Sequence, residues 1–178
     1  MTFALSSSGS LAALLAPLQR LESGAALQAG CYALNHTLAK GKTQVARSLV
    51  QQTGLKYGAA SKDLRQIRAT PGRPEAVLKA SGGYHRLSEF GARQGAGGVG
   101  ASPWNVSRTF PRTFFVPAYS GGVFRRTGPE RFPLAQLWGP AVPKEMPRGL
   151  SLEAWDRVIA TELPARIAHE WARLMGGG

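Results

Sequence analysis

Acid–base, nucleophilic and metal chemistry all require Asp, Glu, His or Cys side chains brought within hydrogen-bond or ligand distance of one another. This chain has few to bring: two Asp (Asp63, Asp156), three His (His36, His85, His169) and one Cys (Cys31) in 178 residues. The histidines stand about 50 and 84 residues apart, so no pair has the H-x-x-x-H spacing that aims two imidazoles at one zinc ion. Gly41-Lys42-Thr43 ends like a phosphate-binding loop, but His36 takes the place of the required first glycine and the segment lies inside a helical pattern. Gly95, Gly97 and Gly100 match G-x-G-x-x-G by spacing alone, since Ala101-Ser102-Pro103 follows where a helix should open. Cys31 falls on an apolar helix stripe, where a small thiol packs and no base is positioned beside it. Glu153, Asp156, Glu162 and Glu170 read as solvated positions of a C-terminal helix rather than a paired-carboxylate cleft. His85 and Glu89 offer only the weakest hydrolase reading. The residues specify no catalytic centre, no cofactor and no metal site.

Charge points instead to a partner. There are 22 Lys+Arg against 10 Asp+Glu, a formal +12. The stretch from Lys40 to Arg131 holds 16 of those cations and only 4 acids, so the whole excess lies there, between electrically balanced ends. Basic residues interleaved with aromatics suit phosphate neutralisation and base stacking, and equally suit docking on an acidic protein surface. Lys40, Lys42, Arg47, Lys62, Arg65, Arg68, Arg93, Arg125, Arg126 and Trp138 are the candidate interface or nucleic-acid contacts. His36, Lys40, Thr43 and Arg47 share one helix face, offset from the apolar stripe and expected to point to solvent.

The elements that would carry these residues follow from periodicity. Leu11, Leu14, Leu15, Leu18 and Leu21 suggest a short helix bent at Pro17. From Ala25, Leu27, Cys31, Leu34, Leu38, Val45 and Leu49 form one apolar stripe running to Thr53, and Gly54 suits the left-handed stop. A second helix is expected over Ala59 to Ile67. After Thr70-Pro71-Gly72 the pattern turns extended: Glu75 to Ala80, Tyr84 to Phe90, then Arg112 to Tyr119 and Val123 to Thr127 as a hairpin about Ser120-Gly121-Gly122. Pro111 and Pro117 bracket the first hairpin strand, which should lie at an edge or be short. Ten of the fifteen aromatics lie between Tyr84 and Trp138, which predicts an aromatic core for the β part. Residues 1–9 read as flexible, 91–101 as a mobile glycine-rich loop, and 129–150 as a Pro-rich arm anchored by Leu134, Leu137 and Trp138. Ser151 should cap a helix through Glu162 that Pro164 breaks or kinks. The sum is a single α+β domain: long N-terminal helices packed on a small, mostly antiparallel β-sheet, followed by a C-terminal helix.

A lone cysteine makes no intrachain disulfide, no stretch approaches the roughly 20 apolar residues of a membrane span, and Leu11 to Leu18 lacks the basic lead of a secretion signal. Synthesis in a cytoplasm is the expectation. The triplets at Asn35 and Asn105 that fit a glycosylation acceptor are chance matches.

Several stretches, in order, resemble the minor tail protein Z family, the tail-completion proteins of long-tailed bacteriophages. They are ALNHTLAKGKTQVARSLVQQTGLK, LSEFGARQ, PRTFFVPAYSGGVFRRTG, PLAQLWGPAVP and LPARIAHEWARL. The resemblance covers the chain from about residue 25 and leaves residues 1–24 aside. It implies a structural virion protein at the head-proximal end of a tail, needed for head–tail joining and DNA passage. Related neck proteins form rings, commonly six-fold. The implied partners are other copies of the chain, the tail terminator, tail tube and head-connector proteins, and the phage DNA; no membrane is among them. The family supplies no catalytic residues. The alternative is a basic DNA-binding protein acting outside the virion.

Overall fold

The stripe of Leu34, Leu38, Val45 and Leu49 lies on one continuous helix, α1 (Gly24–Thr53), closed at Gly54 in the left-handed region (φ 77°). The structure, a computed structural model, describes residues 2–6 and 24–175; the leucine-rich helix expected over Leu11 to Leu21 lies outside them. A short helix α2 (Tyr57–Lys62) follows and stops at Asp63, and Leu64–Ile67 is a strand, β2. The expected helix over Ala59 to Ile67 is therefore half helix and half strand. Leu64 and Gln66 turn inward while Arg65 and Ile67 turn out, and that two-residue alternation fits a sheet once β3 (Val77–Ser81) is present to pair with it. The other edge of β3 pairs with β1 (Thr2–Ser6), a strand where a flexible start was expected.

Beyond this first sheet, β1-β3-β2, the chain builds two more antiparallel sheets of three strands. The second comprises β4 (Arg93–Gly95), β5 (Gly98–Ala101) and β6 (Arg108–Pro111); the third comprises β7 (Thr113–Val116), β8 (Gly122–Arg126) and β9 (Leu134–Gln136). The segment expected as a featureless loop over 91–101 is thus a hairpin. Gly98, at φ 126°, has room for no Cβ, which would sit 2.1 Å from the Phe110 carbonyl oxygen. The predicted hairpin forms as β7 and β8, with β7 at the edge. Tyr84 to Phe90 is not a strand: it holds one 3-10 turn over Leu87–Glu89 and pairs with 137–140 by single backbone bonds. Thr113 stitches the second sheet to the third, its hydroxyl accepting from Val99 N–H at 2.9 Å and donating to the Phe110 carbonyl. The Gln94 side-chain amide does the same, accepting from Phe115 N–H at 3.1 Å and donating to the Thr113 carbonyl at 3.4 Å.

The Pro-rich arm ends in a short helix, α3 (Val142–Glu145), and the chain finishes in α4 (Gly149–Met175). Pro164 neither breaks nor ends α4. Both Pro164 and Ala160, whose carbonyl loses its amide partner, lie on the exposed side, where water takes over that bond. The cap also differs from expectation. Ser151 is buried inside the first turn, and the Gln52 Oε1 of α1 accepts from its backbone N–H at 3.3 Å and its hydroxyl at 3.1 Å.

Helix α1 is covered on two sides, by the first sheet and by α4, and so carries two buried stripes. Leu34, Leu38, Val45, Leu49, Leu64, Leu78, Met146, Trp155 and Leu163 form the main core. Each large side chain buried there stabilises the fold by about 1.5–3 kcal/mol. Helix α4 packs tightly on α1 at Gly41, where an added Cβ would lie 2.8 Å from the Trp155 ring. A second core of Leu87, Val99, Ala101 and Val123, flanked by Phe110, Phe115 and Leu137, lies between the two smaller sheets. It is aliphatic at its centre, not aromatic. Tyr84, Trp104, Tyr119, Phe132 and Trp138 are all exposed.

One buried carboxylate joins these parts. Glu145, 4% exposed, accepts from Gln52 Nε2 at 3.0 Å, from Trp104 Nε1 at 3.2 Å and from the Arg148 guanidinium. Burial alone would raise its pKa, but the Arg148, Gln52 and Trp104 hydrogen bonds outweigh that and hold it below the usual carboxylate range.

Gly41→Val should destabilise the chain by about 1–3 kcal/mol in urea unfolding, because the Trp155 ring cannot yield. Gly58→Ala, in a helix with open space at Cβ, should instead be neutral or stabilise by up to about 1 kcal/mol. Because the folded pKa of Glu145 is depressed, its contribution is complete above the unfolded carboxyl pKa and fades as pH falls through the folded value. Glu145→Gln should therefore cost about 1–3 kcal/mol at pH 7 and flatten the loss of stability between pH 5 and 3, read as Tm against pH.

Candidate assembly and anion-binding surfaces

The sequence-predicted cations divide into three places. Lys40 is tied to α4, with Nζ 2.6 Å from Glu162 Oε2. His36, on the same α1 face, also turns toward α4: its Nδ1 is buried without a hydrogen-bond partner among the described residues, and burial, then Arg166 and Lys40, lower its pKa. The face of His36, Lys40, Thr43 and Arg47, expected in solvent, is thus partly the α1–α4 interface, and only Lys40 and Arg47 are exposed along it. Lys42 is half-buried.

Lys62, Arg65 and Arg68 are exposed on α2 and around β2. Arg65 is the register partner of Lys79 on β3, so two like charges sit side by side on the outer face of the first sheet, an arrangement that costs stability unless an anion answers it. An amide clamp holds this edge against α1: Asn35 Nδ2 donates to the Ala69 carbonyl at 2.9 Å and Asn35 Oδ1 accepts from Ala69 N–H at 2.8 Å.

Arg93, Arg125 and Arg126 belong to the second and third sheets and are exposed. Arg126 stacks over the Phe114 ring, its Cζ 5.6 Å from the centroid. Between Ala80 and Pro143 all seven cations are arginine. Among the described residues none of the seven has a carboxylate within ion-pair distance. In the C-terminal helical layer three of the five cations are paired: Arg148 with Glu145, and Arg166 and Arg173 at 2.6 and 3.1 Å from Glu170. Glu170, read from sequence as solvated, is 3% exposed. Arginine periodicity gave no hint of this split, which depends on where the acids fold.

Trp138 does not anchor the Pro-rich arm. It is 50% exposed, bridged to Arg86 through backbone, while Leu137, Val142 and Met146 supply the anchorage. Near it, Tyr119, Phe124, Phe132 and Leu134 line a groove of about 690 Å³ with Arg86. Tyr119 packs against Phe124 with ring centroids 5.5 Å apart, leaving Tyr119 and Phe132 more than half exposed. Exposed aromatic groups of this kind mark contact surfaces. Composition located these aromatics but assigned them to the wrong side of the sheet.

His85 is clamped between carboxylates, Nε2 2.9 Å from Asp63 Oδ2 and Nδ1 2.9 Å from Glu89 Oε2. Both ring nitrogens are occupied, so the arrangement ties the start of β2 to the 3-10 turn and leaves neither nitrogen facing a cleft. Among the described residues no three His, Cys, Asp or Glu form a metal-binding group, and no helix is long and apolar enough to cross a membrane.

Comparisons with protein-family models, curated proteins and solved structures find no match to this chain.

Lys40→Ala removes an exposed ion pair, so stability should change by less than about 1 kcal/mol in urea unfolding. A larger loss would mean that the α1–α4 contact relies on it.

Proposed function

We propose that this chain is a structural, non-enzymatic protein of a bacteriophage tail, a ring-forming subunit that completes the tail at its head-proximal end, where head joins tail and DNA passes. The ordered resemblance to tail-completion proteins motivates the reading. The observation that carries it is the surface of the β part: exposed Tyr119, Phe132 and Trp138, and seven arginines with no carboxylate partner among the described residues. A subunit that acts by assembly needs apolar contacts to bury and charge that neighbours or DNA can answer. In this reading the chain is made in the host cytoplasm and resides in the virion. Its partners are further copies in a ring, six-fold by the same resemblance, with the terminator, tube and connector proteins.

The alternative, a DNA-binding protein outside the virion working through the α1 and α2 cations, has less support. Lys40 is tied to Glu162 and Lys42 is half-buried, so that face does not present one continuous basic surface.

Electron microscopy of particles assembled with a tagged copy should place the tag at the head–tail junction; a tag absent from particles would refute the proposal. The triple substitution Tyr119→Ser, Phe132→Ser, Trp138→Ser should preserve the monomer's circular dichroism and reduce incorporation into particles at least tenfold.

A further inference from the structure

A second cleft, distinct from the aromatic groove, opens at the elbow between the two smaller sheets, with a volume of about 870 Å³. Its floor is the glycine hairpin, Gly95, Gly97 and Gly98, and its walls carry Arg112, Phe114 and Arg126. Not one lining residue is acidic. Arg112 and Arg126 are exposed, and among the described residues neither has an ion-pair or hydrogen-bonding side-chain partner. Arg126 Cζ sits 5.6 Å from the Phe114 ring centroid, a cation–π contact that favours holding its charge at the cleft wall. Arg112 is held at φ 58°, a conformation that costs a residue with a Cβ about 1–2 kcal/mol. That cost recurs where a side chain must be aimed at a ligand. The cleft is braced by Gln94 and Thr113, whose hydrogen bonds join the two sheets beneath it.

We propose that this cleft binds the phosphodiester backbone of a nucleic acid. The chemistry distinguishes that ligand from an acidic protein. Protein interfaces are built around a buried apolar centre, whereas the apolar lining here is Ala96, Pro111, Pro129 and a Phe114 already covered by Arg126. Arginine forks match phosphate oxygens in pairs, and a glycine floor lets a backbone approach closely. All seven cations of the region being arginine follows the same preference. The cleft shares Arg112 and Arg126 with the surface that supports the tail reading, but the two fail separately: a cleft that binds nothing leaves ring assembly intact, and a chain absent from tails can still bind nucleic acid through it.

The test is fluorescence anisotropy of the full chain with a fluorescein-labelled 20-base duplex and the corresponding single strand, across 25–200 mM NaCl. The variant is Arg112→Asn with Arg126→Gln, since Asn tolerates the left-handed backbone; circular dichroism checks its fold, and Arg112→Lys with Arg126→Lys serves where that check fails. Binding should weaken about tenfold or more at 50 mM salt in the Asn/Gln variant, and the slope of log K against log salt should drop by about two, one for each lost phosphate contact. Lys62→Ala with Arg65→Ala, equal in charge removed, should have a smaller effect. The proposal is overturned if wild type binds neither probe at 25 mM salt, if the cleft variant binds like wild type, or if poly-glutamate displaces DNA as well per charge as unlabelled DNA does.

Discussion

The carboxylate of Glu145 is the joint on which the architecture turns. It sits where α1 ends, where α3 hands over to α4, and where the Pro103–Asn105 turn of the β part returns to the helices. A buried charge is tolerated only when it is fully hydrogen-bonded, and here each bond comes from a different segment. Gln52 is the second half of the same joint, because its amide donates to Glu145 while its oxygen caps α4 through Ser151. Asn105 extends it, donating to the Gln51 carbonyl at 2.6 Å and so satisfying an orphan acceptor at the end of α1. The β part is thereby attached to the helical layer by polar bonds of defined direction, beside the apolar contact of Phe90, which joins the main core.

That division explains the distribution of charge. In the helical layer, Glu145, Glu162 and Glu170 neutralise neighbouring cations within the chain. In the β part, Glu89 is committed to His85, and the arginines are left for whatever lies outside. Of the formal +12, the β part from Arg86 to Arg131 carries +5 in seven arginines without a carboxylate partner among the described residues, α1, α2 and the first sheet carry +7, and only residues 142–175 balance, five cations against five acids. Open charge of this kind is expected of a subunit whose charge is completed on assembly.

The long helix, its stop at Gly54 and the β7–β8 hairpin were legible because each is specified by local pattern: a 3.6-residue stripe, a left-handed glycine, two extended runs about a glycine turn. The features that were not legible are tertiary. The 93–101 hairpin has glycines where side chains would alternate, so no period marks it. Leu64–Ile67 becomes strand only because β3 is beside it. Pro164 is tolerated because its lost bond faces water, and Glu170 is buried because two arginines one turn away on either side cover it. Of the proposed contacts, sequence supplied Arg93, Arg125, Arg126 and Trp138 but gave no reason to prefer them over Lys40, which the fold commits to Glu162. It missed Arg112, whose only signal is its place between two short strands after a proline.

The most direct test of an assembly role is hydroxyl-radical footprinting of the free chain against the chain in purified phage particles. Tyr119, Phe132 and Trp138, accessible in the free chain, should become protected, while Tyr57, exposed on the helical side, should keep its labelling. Equal labelling of Tyr119, Phe132 and Trp138 in both states, or failure to recover the chain from particles at all, would contradict it.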